Sequence, residues 1–252
     1  MKMKQNLYNY ILGIADNSLV LGQRLGELCG HGPNLETDIA LTNISLDLFG
    51  QTRSYYQYAA KISSENKTED DVAFLRIEKE YRNVLLVEQP NTNFAYEMAR
   101  QLLFDVFHLL LMKELQNSTD ETLTAIAKKS IKEVSYHVRF SSDWVKRLGD
   151  GTEISHKKIQ EAINELWRYT DELFQLTEAD KEMVSSGVGV DVSKLKETYY
   201  KEVSEVLKEA TLSVPENKYF LYGGKKGNHS EHMGFLLADL QYMQRAYPNM
   251  KW

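Results

Sequence analysis

Apolar residues recur at spacings of three and four along most of the 252-residue chain, as in Leu103, Phe104, Phe107, Leu110 and Leu111, or Val203, Val206, Leu207 and Ala210. That period gathers them on one face of an α-helix. The four prolines, at positions 33, 90, 215 and 248, fall where the pattern breaks, as suits a residue that disrupts helix interiors. The pattern predicts helices over residues 7–28, 35–62, 70–86, 93–115, 119–148, 155–174, 191–211 and 229–247. Asn34 is placed to cap the second, and the Gly-rich stretches after 28, 148 and 185 supply the stops. No alternating strand pattern competes with this reading. No composition shift, repeat or low-complexity run marks a boundary, so one all-helical domain over residues 1–252 is expected. Residues 214–228 leave the helical pattern, and a loop of that length is often functional.

Charge and composition narrow the partners. A net charge of -6 is spread over alternating acids and bases, which leaves no basic face for a run of phosphates, and nucleic acid is not expected. No apolar run reaches the length of a membrane span and the first residues carry no signal-peptide core, so a cytoplasmic protein with no membrane partner is expected. Cys29 is the single cysteine. It cannot form an internal disulfide, which fits a reducing compartment, and its neighbours Leu28 and Gly30 suggest a buried helix end. Tyrosines at 55, 56 and 58 and at 199 and 200 suit interface anchors or core positions equally.

The chemistry suggested by spacing is that of a damaged metal site. A di-iron carboxylate bundle uses one Glu from each of two helices and a Glu-x-x-His turn from each of the other two. Here Asp105 and His108 have the right offset with a shorter acid. Glu133 places Tyr136 at the ligand offset and His137 one position beyond. Asp16 or Glu27 on the first helix, and Asp38 or Asp47 on the second, are the remaining acids, and neither Asp38 nor Asp47 has a histidine three residues on. The pattern is half present, so no metal is expected. These acids are expected to be paired with Arg53, Arg100 or Arg139, because a buried charge must be partnered.

A second feature is the loop Gly223, Gly224, Lys225, Lys226 and Gly227, followed by His229, Glu231 and His232. Glycines allow close approach of a ligand and two lysines supply charge, so a CoA phosphate or a protein interface suits it. Its spacing matches no Walker loop. His229 and His232, one turn apart, could bind a metal with Glu231 nearby, but at an exposed helix start they suit capping or surface positions better. Gly22 and Gly26 within the first helix, and the stretch Leu46 to Arg53, suit close packing against a second helix or a second chain.

Five blocks together carry a resemblance: LGQRLGE (21–27), ETDIALTNISLDLFGQ (36–51), LVEQPN (86–91), KEVSYH (132–137) and GGKKG (223–227). They resemble, in the same order and up to Trp252, the C subunits of bacterial phenylacetyl-CoA epoxidases. The resemblance implies an all-α, ferritin-like helical bundle with additional C-terminal helices. It also implies a non-catalytic, structural role in a multicomponent monooxygenase of aerobic phenylacetate catabolism. The di-iron centre then belongs to a catalytic partner subunit, with no cofactor bound by this chain. The partners implied are that subunit, in a homo- or hetero-oligomer, with a CoA thioester at the interface as a further candidate. The rivals are an active di-iron oxygenase using Asp105, His108, Glu133 and His137, and a stand-alone acyl-CoA binding module using Lys225 and Lys226.

Overall fold

A computed structural model of the chain describes residues 2–216, 219–248 and 250. Asn217 and Lys218, inside the stretch that leaves the helical pattern, and Trp252, where the resemblance ends, lie outside the described residues. Ten α-helices and no strand occur among the described residues. Contacts group the chain into two compact units, Met1–Pro90 with Thr177–Ser186 and Gly223–Trp252, and Asn91–Leu176 with Gly187–Tyr222.

The first unit is built on a hairpin of α1 (Lys2–Gly26) and α2 (Leu35–Ile62). Ser45 Oγ donates to the Gly22 carbonyl and the Tyr56 hydroxyl to Asp16, so numbers rise along one helix as they fall along the other. The α2 bounds are those the pattern predicts, and Asn34 accepts from the Thr37 N–H at 2.9 Å. Gly22 is needed inside this hairpin: a Cβ there would lie 3.1 Å from the Phe49 ring. Tyr55 and Tyr56 are core residues, at 0% and 1% exposure.

The predicted 70–86 helix does not form. In its place stand α3 (Glu69–Phe74), a 3-10 turn (Glu78–Glu80) and the single turn α4 (Leu85–Glu88). Part of the cause lies in α1, whose side chains capture backbone donors that a helix would use, and part in Gln241 and Arg245, which donate to the Arg76 carbonyl at 2.9 and 3.0 Å. Asp16 accepts from the Arg82 N–H at 2.7 Å and Asn17 from the Val84 N–H at 2.8 Å. Side-chain acceptors compete with a helix for N–H groups, and here two of them hold the segment open.

In the second unit, α5 (Phe94–Leu115), capped by Asn93, is buried on nearly all sides. It pairs with α6 (Glu121–Gly149), an amphipathic helix whose buried row runs Leu123, Ala127, Ser130, Val134, His137, Ser141 and Val145. The helix predicted over 155–174 ends early: α7 (Glu153–Leu166) passes into two 3-10 turns, Trp167–Tyr169 and Asp171–Phe174. Among the remaining helices, α8 (Glu178–Ser185) is unpredicted, although Thr177 and Asp180 form a capping box in front of it. α9 (Lys196–Glu209) follows a 3-10 turn, and α10 (Glu231–Ala246) belongs to the first unit. Tyr199 on α9 is fully buried and donates to the Leu103 carbonyl at 2.9 Å.

Candidate functional site

Three of the five spacing-derived positions come together between α5 and α6. Asp105, His108 and His137 are each no more than 1% exposed. Asp105 accepts from Gln101 Nε2 at 2.7 Å and from Ser141 Oγ at 2.8 Å. Gln101 precedes Asp105 by one helical turn and Ser141 follows His137 by one, so each acid or histidine brings a polar neighbour on its own face. Burial pushes the Asp105 carboxyl up to about 6, against the opposing pull of His137, Ser141 and Gln101. Burial likewise pushes His108 down to about 3, with His137 adding in the same direction. His108 is therefore neutral at ordinary pH. Neither of its ring nitrogens has a hydrogen-bond partner, and the Phe104 ring lies 5.2 Å away, centroid to centroid.

The other two positions face elsewhere. Tyr136 is 38% exposed and its ring lies beside Phe140, under the Arg139 guanidinium. Glu133 is half-buried, off the buried row of α6. A 3.6-residue period that turns Val134, His137 and Ser141 inward must turn Tyr136 outward. Among the described residues no group of three or more His, Cys, Asp or Glu is arranged to hold a metal ion. The side chains present do not match the donor set of a di-iron bundle.

The arginines expected as partners make the following contacts. Arg53 is exposed and reaches Glu69 at 3.7 Å, Arg100 donates to Asn91 Oδ1 at 2.7 Å, and Arg139 stacks on Tyr136. An arginine that sequence spacing does not mark, Arg76, holds a buried acid. It grips Asp16 through both terminal nitrogens, at 2.9 and 2.6 Å, while the Tyr56 hydroxyl donates to the same carboxylate at 2.5 Å. With the Arg82 N–H, Asp16 has four donors, and its oxygens are fully used by the protein.

The loop Gly223 to Gly227 is packed against the backbone of residues 79–85. A Cβ on Gly224 would sit 2.2 Å from the Asn83 carbonyl oxygen, and Gly227 has a φ of +80° with the Lys79 carbonyl 2.3 Å from its Cβ position. Lys226 is exposed and Lys225 half-buried. Beyond the loop, His229 is no free surface ligand. Its side chain is 0% exposed, with Nδ1 2.8 Å from Glu88 Oε2 and Nε2 3.2 Å from the Tyr81 carbonyl. A carboxylate and a carbonyl are both acceptors, so this geometry suits the doubly protonated ring. Although burial works against the charge, the Glu88 bond and charge raise the His229 pKa. Both nitrogens are engaged, which removes the metal pair with His232. Cys29, expected at a buried helix end, is exposed.

The family model described as "Phenylacetic acid catabolic protein" matches residues 1–252. The chain belongs to that family. Across 243 residues it is 50% identical to the C subunit of the 1,2-phenylacetyl-CoA epoxidase of Escherichia coli (strain K12), covering 96% of this chain and 98% of the relative. The all-α, ferritin-like fold class expected from the sequence agrees with membership of the phenylacetic acid catabolic protein family. In this member of the family, spacing alone locates Asp105, His108 and His137 but misses Gln101, Ser141, Arg76 and Glu88. Gln101 and Ser141 are open to discovery one turn from the marked residues. Arg76 and Glu88 are not, because their partners Asp16 and His229 lie 60 and 141 positions away.

Proposed function

We propose that this chain is the structural C-type subunit of a phenylacetyl-CoA epoxidase in aerobic phenylacetate catabolism, acting in the cytoplasm as one ferritin-like domain over residues 1–252. In this reading it performs no oxygen chemistry and holds no iron. Its work is to support a catalytic subunit that carries the di-iron centre. The observation that supports this best is the α5–α6 cluster: Asp105 is bonded by Gln101 and Ser141, while Glu133 and Tyr136 lie off the buried face. The 50% identity to the C subunit of an epoxidase supports the assembly part of this reading.

Support of this kind is a binding effect. A surface that binds only the folded form of the partner stabilises it by mass action, in proportion to its occupancy. A helical core with paired polar groups gives that surface a fixed shape.

The test has two readouts. The purified chain is incubated anaerobically with ferrous iron, desalted and assayed for iron. It is also co-expressed with a catalytic subunit and passed over a sizing column. Retention of almost no iron, together with a stable complex, is expected. About two irons per chain, with oxygen consumption by the chain alone, would instead establish the di-iron oxygenase reading.

A further inference from the structure

The alternating charges of the sequence give no basic face, yet the fold of the first unit concentrates positive charge in one place. A cleft of about 780 Å³ opens between the first turns of α1, the end of α2 and the segment before α4. Its volume falls within the range of small-molecule sites. Five of its lining side chains are basic (Lys2, Lys4, Lys67, Arg76 and Arg82) and two are acidic (Glu65 and Glu80). This stands against a chain with net charge -6.

Pairing within the cleft decides which charges remain available. Lys67 is matched by Glu65 at 2.6 Å and Arg76 by the buried Asp16. Glu80 accepts from the Ile77 N–H at 2.7 Å, a neutral donor that leaves its negative charge in the cleft. Arg82 donates instead to neutral groups, the carbonyls of Lys79 and Tyr81, at 2.6 and 2.8 Å. Those bonds orient its guanidinium without cancelling its charge. Lys2 and Lys4 are exposed on the first turn of α1, which has no acidic residue, although Glu178 of α8, whose pKa is lowered first by Lys181 and further by Lys2, shares the Lys2 charge. Neutral donors line the same wall, from Gln5, Asn6, Tyr8, Asn9, Ser63 and Ser64.

Arg82 is also the meeting point with the glycine loop. A Cβ on Gly227 would lie 2.8 Å from its Nη1, so the close-packed loop limits where this guanidinium can move. A cation fixed on one side and open to a cleft on the other is preorganised for an anion, and a planar guanidinium matches phosphate oxygens in pairs.

We propose that this cleft binds the phosphate group of a small-molecule ligand, with Arg82 as the fixed contact and Lys2 and Lys4 as flexible ones. A CoA-type nucleotide or free phosphate would supply the same chemistry. The inference rests on the charge and shape of the first unit alone, and it stands or falls separately from the assembly role.

Calorimetric titration of the full chain at low salt, with CoA, 3′-dephospho-CoA and inorganic phosphate as separate probes, tests it. At least one probe is expected to bind, with affinity falling five-fold or more in Arg82→Gln and in Lys4→Gln, and falling again as salt is raised. Lys4→Gln changes an exposed residue, so it keeps the test open if Arg82→Gln fails to fold. Tighter binding of CoA than of its dephospho form would identify the 3′-phosphate as the seated group. Binding of inorganic phosphate alone would keep the site and exclude the nucleotide. No binding by any probe would overturn the proposal. So would CoA binding that is lost in Lys226→Gln and unchanged in both cleft variants.

Discussion

Two buried clusters, Asp16 with Arg76 in the first unit and Asp105 with His137 in the second, each place an aspartate at 0% exposure on a long helix. Their neighbours differ. Asp16 is gripped by a guanidinium, a phenol and a backbone N–H. Burial works against the Arg76 charge, but Asp16 and Tyr56 more than offset it and raise its pKa. Asp105 has an amide and a serine hydroxyl as donors, with a histidine nearby, and burial pushes its carboxyl up to about 6. The first cluster is a fixed ion pair and the second a protonation-sensitive one. Ligand-like spacing draws notice to the second, while the greater structural dependence falls on the first.

The sharpest way to break the comparison is Arg76→Ala. It leaves the Asp16 charge buried without its counter-ion, and a loss of about 3–5 kcal/mol in urea unfolding is expected. A loss below about 1 kcal/mol would make the two clusters equivalent.

The second cluster is tested through pH. The folded Asp105 pKa, about 6, lies above its unfolded value, so its contribution is fully present below pH 4 and is lost as pH rises towards 6. His108 runs the other way. Its folded value, about 3, lies below the unfolded one, so its contribution is present above about pH 6.5 and is lost as pH falls. Between pH 4 and 6 the two slopes oppose each other. Asp105→Asn removes one, and the variant is expected to gain stability with rising pH by about 2–3 kcal/mol relative to the wild type over that interval. Parallel pH profiles for variant and wild type would show that Asp105 does not titrate there.

Smaller effects refine the contrast. Tyr56→Phe removes a hydrogen bond to a buried charged group and is expected to cost about 1.5–2 kcal/mol. His108→Leu replaces a neutral ring that has no hydrogen-bond partner by an apolar side chain, and a change of about 0–1 kcal/mol at pH 7 is expected, in either direction. A large loss from His108→Leu would mean that the ring has an essential partner.

How much of this is legible in the sequence varies with the range of the interactions involved. The bounds of α2 and the Asn34 cap follow from local pattern and chemistry. So does the inward turn of His137, since Val134 and Ser141 share its face. Tyr136 misleads because a ligand offset says nothing of which face of the helix is buried. Arg76 and the broken 70–86 segment depend on contacts across about 60 residues, which no local spacing carries. The glycine loop stands out as unusual in the sequence, but its close fit to residues 79–85 gives its glycines a packing reason in place of flexibility.

Capture of the Arg82 and Val84 amides by Asp16 and Asn17 also implies an order of events as the chain folds. The stretch from Glu69 to Glu88 has a helical pattern of its own, which side chains of α1 and, at the Arg76 carbonyl, Gln241 and Arg245 of α10 overrule. Until α1 is formed and in place, the Arg82 and Val84 amides lack these acceptors, so their native path waits on a neighbour 66 and 67 positions earlier. A peptide of residues 69–88, freed from that neighbour, is expected to show more helix by circular dichroism in a helix-promoting solvent than the same residues hold in the intact protein.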